Sequence, residues 1–166
     1  MKFKSPSESQ VEMTELVLPQ HTNALGTIFG GVVLSWVDIA AAICAQRHSG
    51  RLVVTAAIDA MQFVAPIRLG WIVSIKASIN FASVTSCEVG VRITAENPQT
   101  NELNHTATAY VTMVALDSNG RPAEMPQVKP VTDVEIRRYN EAQHRRKQRL
   151  ELKQKISDSR KLKGDD

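Results

Sequence analysis

The sequence has few of the residues from which disulfide, metal or aromatic frameworks are built. Its 166 residues include two cysteines, Cys44 and Cys87, and only 5% aromatic residues. Both cysteines lie in apolar segments and no CxxC motif is present, so we expect two buried free thiols. The four histidines share no metal-ligand spacing, which argues against a zinc site. The core must therefore be mostly aliphatic.

The first residues also lack the apolar run of a secretory signal, which together with free thiols favours the cytoplasm. Residues 28–45 are apolar but barely long enough to span a bilayer. This run contains two glycines near its start and Asp38 near its middle, both unfavourable in a membrane span. We interpret it as a buried helix of a globular protein.

Charge is unevenly distributed along the chain. The net charge is +3, and the part from Asp133 onward carries +4 while the rest carries −1. A near-neutral body with a basic tail does not indicate nucleic-acid binding, since the tail also contains acidic residues and no DNA-binding motif. We expect a solvated or oligomer-packing helix there, with no specific nucleic-acid partner and no membrane insertion.

Periodicity divides the chain into three parts. We predict a flexible arm over 1–9, a globular domain over 10–130, and a charged C-terminal helix and tail over 131–166. In the tail, Thr132 and Glu135 form a capping-box pattern that opens a helix over 133–156. In the domain we predict a strand at 10–18, a helix at 31–48, and strands at 52–66, 71–82, 85–97 and 102–117.

The strand segments alternate apolar and polar residues, which is typical of an antiparallel sheet with one face on a core. The apolar helix is the element available to fill that face. The pattern predicts an α+β hotdog fold, a curved antiparallel sheet wrapped around a long central helix. Such a sheet has open edges, so we expect a homo-oligomer.

Three features of the loop and helix suggest chemistry. Gly30 and Gly31 bring free backbone amides and the positive dipole end to the helix start, which would polarise a carbonyl; alternatively, they only allow tight loop packing. Asp38 is a carboxylate on an apolar helix, either a general base or a hydrogen-bonded structural group. Asn23 could hold a water or a carbonyl oxygen, or could simply form a turn.

The segment PQHTNALGTIFGG at 19–31, followed by WVD at 36–38, resembles the signature of hotdog-fold acyl-CoA thioesterases. It is most similar to the cytosolic acyl-CoA hydrolase group, which includes the brain-type enzyme and small bacterial relatives. The resemblance continues through VTAAID at 54–59, IRLG at 67–70 and MPQV at 125–128. It covers residues 10–150.

This resemblance implies hydrolysis of fatty acyl-CoA to free fatty acid and CoA, with Asn23 and Asp38 as the catalytic pair. In the family, the asparagine of one subunit and the aspartate of another share a site in a dimer, and dimers often form a trimer of dimers. Asp38 would be general base or nucleophile, and Gly30 and Gly31 would face the thioester carbonyl. No cofactor is implied, since CoA is part of the substrate. The candidate CoA-binding residues are Val54, Thr55, Arg68, Ser83, Thr85 and Ser86.

Other functions on this fold fit less well. Hotdog dehydratases use a catalytic histidine at the helix, and here the first helical histidine is His48, at its far end. A second thioesterase group places aspartate where this chain has Asn23. A non-catalytic acyl-CoA sensor remains the alternative.

Overall fold

The computed structural model describes residues 2–59 and 61–163. The chain forms two compact units, residues 1–129 and 130–166. The elements are β1 (Phe3–Lys4), β2 (Val11–Leu16), α1 (Gly30–Ser49), β3 (Leu52–Ile58), β4 (Ile72–Ala82), β5 (Ser86–Asn97), β6 (Glu102–Leu116), β7 (Gln127–Val128) and α2 (Asp133–Lys163), with short 3-10 turns at Pro6–Glu8 and Pro19–His21.

Five strands form one antiparallel sheet in the order β2-β4-β5-β6-β3. The long strands β4, β5 and β6 are joined by short turns and bury every second side chain over most of their length, as the alternating pattern predicts. The buried face is aliphatic and includes Ile75, Val89 and Val111. The sheet curls around α1, so the predicted α+β hotdog fold is confirmed.

Helix α1 packs one face onto the sheet. Its buried residues are Val33, Trp36, Val37, Ala40, Ala41, Cys44, Ala45 and His48. They recur every three or four residues, the spacing of one helical face. The helix ends at Gly50, whose φ of +66° favours glycine. Both cysteines are free and buried, as predicted.

The predicted strand over 52–66 is too long. Strand β3 ends at Ile58, and the Asp59 amide donates a last hydrogen bond to the Tyr110 carbonyl. Residues 61–66 then run outside the sheet. Pro66 cannot donate to a strand ladder and restricts the residue before it, which favours a departure from the sheet. Residue 60, inside the predicted strand, lies outside the described residues.

The N-terminal segment is ordered where we predicted a flexible arm. Strand β1 pairs in parallel with β7, and Pro6 and Ser9 are buried. The Lys4 ammonium donates to the Arg47 carbonyl at the C-terminal end of α1, where helix carbonyls lack intrahelical partners. These long-range contacts are invisible in a polar, serine-rich sequence. The predicted arm also includes residue 1, outside the described residues.

His48, in the last turn of α1, is a buried histidine. Its side chain is 1% exposed, with Nε2 3.0 Å from the Pro126 carbonyl and Nδ1 3.4 Å from Ser9 Oγ. Burial lowers the pKa of His48 below its usual value, because desolvation disfavours the charged imidazole.

The second unit contains α2, which runs to Lys163, beyond the predicted end at 156. The capping box at its start is confirmed, since the Thr132 amide donates to Glu135 Oε2 and the Glu135 amide donates to Thr132 Oγ1. The last tail residues, 164–166, lie outside the described residues. Within the described chain, no helix is long and apolar enough to cross a membrane.

Candidate active site

A compact loop ahead of α1 positions Asn23. The Asn23 carboxamide oxygen accepts the Leu25 amide at 2.9 Å, and its nitrogen donates to Thr27 Oγ1 at 3.0 Å. Gly26 turns the chain with a φ of +69°. Asn23 therefore shapes its own loop, as in the turn-forming alternative, and the second amide proton of its Nδ2 is still available in principle to a ligand.

Two further contacts fix this loop to the helix. The Phe29 amide donates to the His21 carbonyl at 2.9 Å. The His21 ring meets the Trp36 ring edge to face, with centroids 5.3 Å apart. The N-terminal end of α1 is thereby held in a defined position relative to Asn23.

Helix α1 begins at Gly30, and its N-cap residue Phe29 provides no side-chain acceptor. The first amides of a helix have no intrahelical acceptor, so the positive end of α1 can bind an oxygen. A Cβ added to Gly31 would meet nothing within 4 Å. Tight packing within the chain therefore does not require glycine at 31, and the packing alternative fails for this residue.

Asp38 lies two turns into α1 and is joined to the edge strand β3. The Thr55 hydroxyl donates to Asp38 Oδ1 at 2.6 Å, and Thr55 Oγ1 also lies 3.5 Å from Met113 Sδ. The hydroxyl holds one carboxylate oxygen and leaves the other for a substrate or water. We expected Thr55 to contact CoA; in the structure it contacts the candidate catalytic carboxylate.

The expected burial of Asp38 is wrong for the single chain, in which it is half-buried. The sheet covers only one face of α1, and Asp38 lies on the open face near Leu34 and Ile39, which are 37% and 45% exposed. An apolar helix with an open apolar face indicates a surface that another molecule covers.

Within one chain, the helix amides and the carboxylate do not converge. Asp38 follows Gly30 by eight positions, which corresponds to about 12 Å along a helix that rises 1.5 Å per residue. A thioester carbonyl bound at Gly30 would be out of reach of a water held by the same helix's Asp38. The two groups belong either to separate sites or to sites completed by a second subunit.

A cavity of about 290 Å³ opens beside Gly30. Residues 63–66 form one wall, and Thr27 and Ile28 also line the cavity. The Phe63 ring approaches closest to the helix, since a Cβ on Gly30 would lie 3.4 Å from its Cε2. We did not single out this wall as a binding site from the sequence, because its residues match the spacing of a strand.

The other candidate CoA-binding residues are dispersed. Arg68 bridges to Thr27 beside the Asn23 loop. Val54 neighbours Thr55 on β3, where successive side chains point to opposite faces, so the two do not contact one ligand from the same face.

The turn that carries Ser83, Thr85 and Ser86 lies at the other end of the helix. Its Val84 lines a separate cleft of about 300 Å³ together with Ser49, the last residue of α1, and Arg51, which lies just beyond the helix. A single chain therefore does not bring this turn to Gly30. Among the described residues, no cluster of three or more histidines, cysteines or carboxylates could hold a metal ion.

Comparison with known proteins assigns this chain to a family. Residues 25–102 match the thioesterase superfamily. The chain is 40% identical over 137 residues to protein VdlD of Helicobacter pylori, covering 82% of this chain and 78% of that protein. It is 39% identical over 146 residues to the uncharacterized acyl-CoA thioester hydrolase YkhA of Bacillus subtilis, covering 88% and 85%. The human cytosolic acyl coenzyme A thioester hydrolase is 33% identical over 84% of this chain, which spans 37% of that longer protein.

Solved structures of acyl-CoA hydrolases and thioesterases have the same fold as this chain. An acyl-CoA hydrolase from Bacillus cereus superposes with a TM-score of 0.90 at 34% identity, covering 98% of both chains. An apo-hexameric acyl-CoA thioesterase gives 0.89 at 38%, covering 92% of this chain and 97% of that one. The acyl-CoA hydrolase of Staphylococcus aureus, in complex with butyryl coenzyme A and coenzyme A, gives 0.84 at 39%, covering 93% and 97%. It has also been solved with an aspartate, an asparagine or a threonine replaced by alanine.

A sheet curled around a helix, with a glycine-opened helix end and a carboxylate on the open face, defines a hotdog-fold enzyme. The chain belongs to the thioesterase superfamily, as its resemblance to hotdog acyl-CoA thioesterases predicted, and it is a thioester hydrolase.

Proposed function

We propose that this enzyme hydrolyses fatty acyl-CoA to free fatty acid and CoA at sites shared between two subunits. The names of the bacterial and human relatives and the CoA ligands of the S. aureus enzyme support this substrate class. The observation that carries the shared site is the separation of Gly30 from Asp38 on one helix, about 12 Å at the usual helical rise.

The open face of α1 and the edge of β3 form the proposed dimer surface. Strand β3 ends the sheet, so its outer edge offers backbone groups for pairing. Leu52 and Val54 on the strand are 71% and 47% exposed, and Leu34 and Ile39 extend the apolar surface on the helix. Fully burying such side chains contributes roughly 1.5–3 kcal/mol each. Pairing would also remove water from around Asp38.

In this dimer, the amides of Gly30 and Gly31 bind the thioester carbonyl, and Asp38 of the partner chain acts as general base on a water. Asn23 orients that water or the carbonyl, and Thr55 orients Asp38. Removal of a positioned oxyanion donor costs about 10²–10³ in kcat, and loss of a general base about 10²–10⁴. The water adds to the carbonyl carbon as its proton passes to Asp38. The C–S bond then breaks and Asp38 returns the proton to the CoA sulfur, so that CoA leaves as the thiol and Asp38 is regenerated as the carboxylate.

The S. aureus hydrolase supports these roles. The asparagine, aspartate and threonine replaced by alanine in that enzyme follow one another at the same intervals as Asn23, Asp38 and Thr55. Conserved intervals in a chain of the same fold favour equivalent positions in the two sites.

We extend the proposal to the assembly and to CoA. Two related thioesterases are hexameric, which supports a trimer of dimers. Neighbouring subunits would then bring Ser83, Thr85 and Ser86 to the CoA of another chain, while Arg68 lies near the helix start of its own. A cytoplasmic location is supported by the human cytosolic relative.

The activity is tested by incubating the protein with acetyl-, octanoyl- and palmitoyl-CoA and following thiol release with a chromogenic disulfide. The protein's own thiols should not contribute, because both are buried and burial raises the pKa of Cys44 to about 12. We expect turnover of at least one substrate. Tight acyl-CoA binding without turnover at any chain length would instead favour the sensor alternative.

The shared site is tested by mixing two inactive variants, Asn23→Ala and Asp38→Ala. A mixed dimer has one intact site and one doubly damaged site, so random exchange of equal amounts should restore about a quarter of wild-type activity by two-fold symmetry. Each variant alone is the control. If exchange is shown by differently tagged chains but no activity returns, both residues act within one chain.

A further inference from the structure

The cavity beside Gly30 has an apolar lining directly next to the proposed carbonyl site. Its walls are formed by Phe63, Val64, Ala65, Pro66 and Ile28, with Thr27 as the polar contributor. Phe63 and Val64 are 45% and 66% exposed, so their side chains are available to a ligand. Within the described residues, exposed apolar side chains and free amides meet at this cavity.

Backbone hydrogen bonds hold the segment 63–67, whose residues 63–66 form one wall of the cavity, near both of its ends. The Val64 amide donates to the Thr106 carbonyl at 2.9 Å, which ties the segment to β6. The Ile28 amide donates to the Ile67 carbonyl at 2.8 Å, which ties it to the loop that precedes α1. Phe63 therefore directly precedes a residue whose backbone is bonded to the sheet.

The two arms of an acyl-CoA thioester differ in chemistry. The pantetheine arm carries amides and a hydroxyl, which lose hydrogen bonds to water when they enter an apolar cavity. The acyl arm is a hydrocarbon, for which burial against aliphatic and aromatic side chains is favourable. A carbonyl bound at Gly30 sends one arm into the cavity, and the lining selects the acyl arm.

We propose that this cavity binds the acyl chain and that Phe63 determines the preference for acyl-chain length. The inference rests on the proposed acyl-CoA hydrolysis and deepens it. The ring edge lies against Gly30, so it contacts the carbons that follow the carbonyl. Each methylene buried there raises kcat/KM about fourfold, until the chain leaves the contact area of the ring and its neighbours.

The test measures kcat/KM for acyl-CoA substrates of increasing chain length in wild type, Phe63→Ala and Phe63→Leu. We expect Phe63→Ala to lose roughly tenfold on octanoyl-CoA, the equivalent of about two buried methylenes, with acetyl-CoA changed by less than about threefold. Phe63→Leu keeps an apolar side chain. Its loss in kcat/KM should be smaller than that of Phe63→Ala and should again be larger for octanoyl-CoA than for acetyl-CoA.

Phe3→Ala is the matched control, since Phe3 is an exposed phenylalanine on β1; all its rates should equal those of wild type. An unchanged length profile in Phe63→Ala, or a loss equal for all chain lengths, would overturn the assignment while leaving the hydrolase function standing.

Binding measurements distinguish a failure of the acyl-site assignment from a failure of the proposed hydrolase function. Non-hydrolysable S-alkyl-CoA thioethers of increasing length should bind wild type with affinity that rises with length and bind Phe63→Ala with a flatter dependence. This result would support the acyl site even if no turnover were found. A slope that is equal in the two proteins would count against Phe63.

Discussion

The Thr55 hydroxyl donates a 2.6 Å hydrogen bond to Asp38 Oδ1 and so joins the edge strand to the central helix. The bond connects the edge strand β3 with the carboxylate on the open face of α1. It holds Asp38 through Oδ1, and in the proposed mechanism the other carboxylate oxygen would accept the proton of the water.

Replacement of Thr55 by valine should therefore lower kcat and leave the fold intact. Hydrogen bonds to charged groups contribute about 1.5–3 kcal/mol, which corresponds to a loss of at least about tenfold. Steady-state kinetics and thermal unfolding measure the two effects. Thr14→Val, on the opposite edge strand β2, is the matched control; if both variants lose activity equally, Thr55 has no particular role.

Asp38 should act on water rather than on the substrate. In a single turnover with enzyme in excess in H₂¹⁸O, a general base yields fatty acid with one ¹⁸O and leaves the protein mass unchanged. A nucleophilic carboxylate would first form a mixed anhydride with the acyl group. Water attack at the aspartyl carbon of that anhydride would give unlabelled acid and labelled protein, whereas water attack at the acyl carbon would give labelled acid and unlabelled protein. Hydroxylamine, which captures an acyl-enzyme as the acyl hydroxamate and leaves a general-base reaction with acid as its product, distinguishes this second case, and mass spectrometry of the acid, the hydroxamate and the protein decides between the mechanisms.

Gly31→Ala should lower the activity of the enzyme without lowering its stability. The site around a Cβ at 31 is open, and alanine is favoured over glycine in a helix by up to about 1 kcal/mol, so stability should hold or rise slightly. The added methyl obstructs the carbonyl approach, and a misplacement of about 1 Å can cost up to 10²-fold in rate. A variant that is both stable and fully active would show that the substrate does not approach Gly31.

His48 should make the protein less stable as the pH falls. Burial lowers the pKa of His48 in the folded state, so the unfolded chain binds the proton more readily. The stabilising contribution is complete above the unfolded value of 6.5 and is lost as the pH falls below it, by at most about 1.4 kcal/mol per pH unit.

Urea unfolding of wild type and His48→Gln between pH 7.5 and 5 measures this dependence. The variant should show the flatter profile. His105→Gln, at an exposed position on β6, is the control and should retain the wild-type slope. Lys4 and Glu8, the charged groups that act on His48, are present in all three proteins.

Much of the local structure could be predicted from local pattern. Strands β4, β5 and β6 follow the alternation of residues such as Ile75 and Val89, because a sheet with one buried face needs that period. Glycines mark both ends of α1, which begins at Gly30 and is capped by Gly50. The capping box of Thr132 and Glu135 forms as predicted, because the two residues are only three positions apart in the sequence.

The sequence by itself determined the long strands β4, β5 and β6, the central helix, the family and the candidate pair of Asn23 and Asp38, because these depend on neighbouring residues and on a specific motif. Only the tertiary structure decided the N-terminal pairing, the burial of His48, the bond from Thr55 to Asp38, and the position of Phe63 against Gly30. Each of these joins residues far apart in the chain, and period-two or helical spacing contains no information about such pairs. The open face of α1 is likewise a tertiary result, since a sheet that curls around a helix covers one side of it.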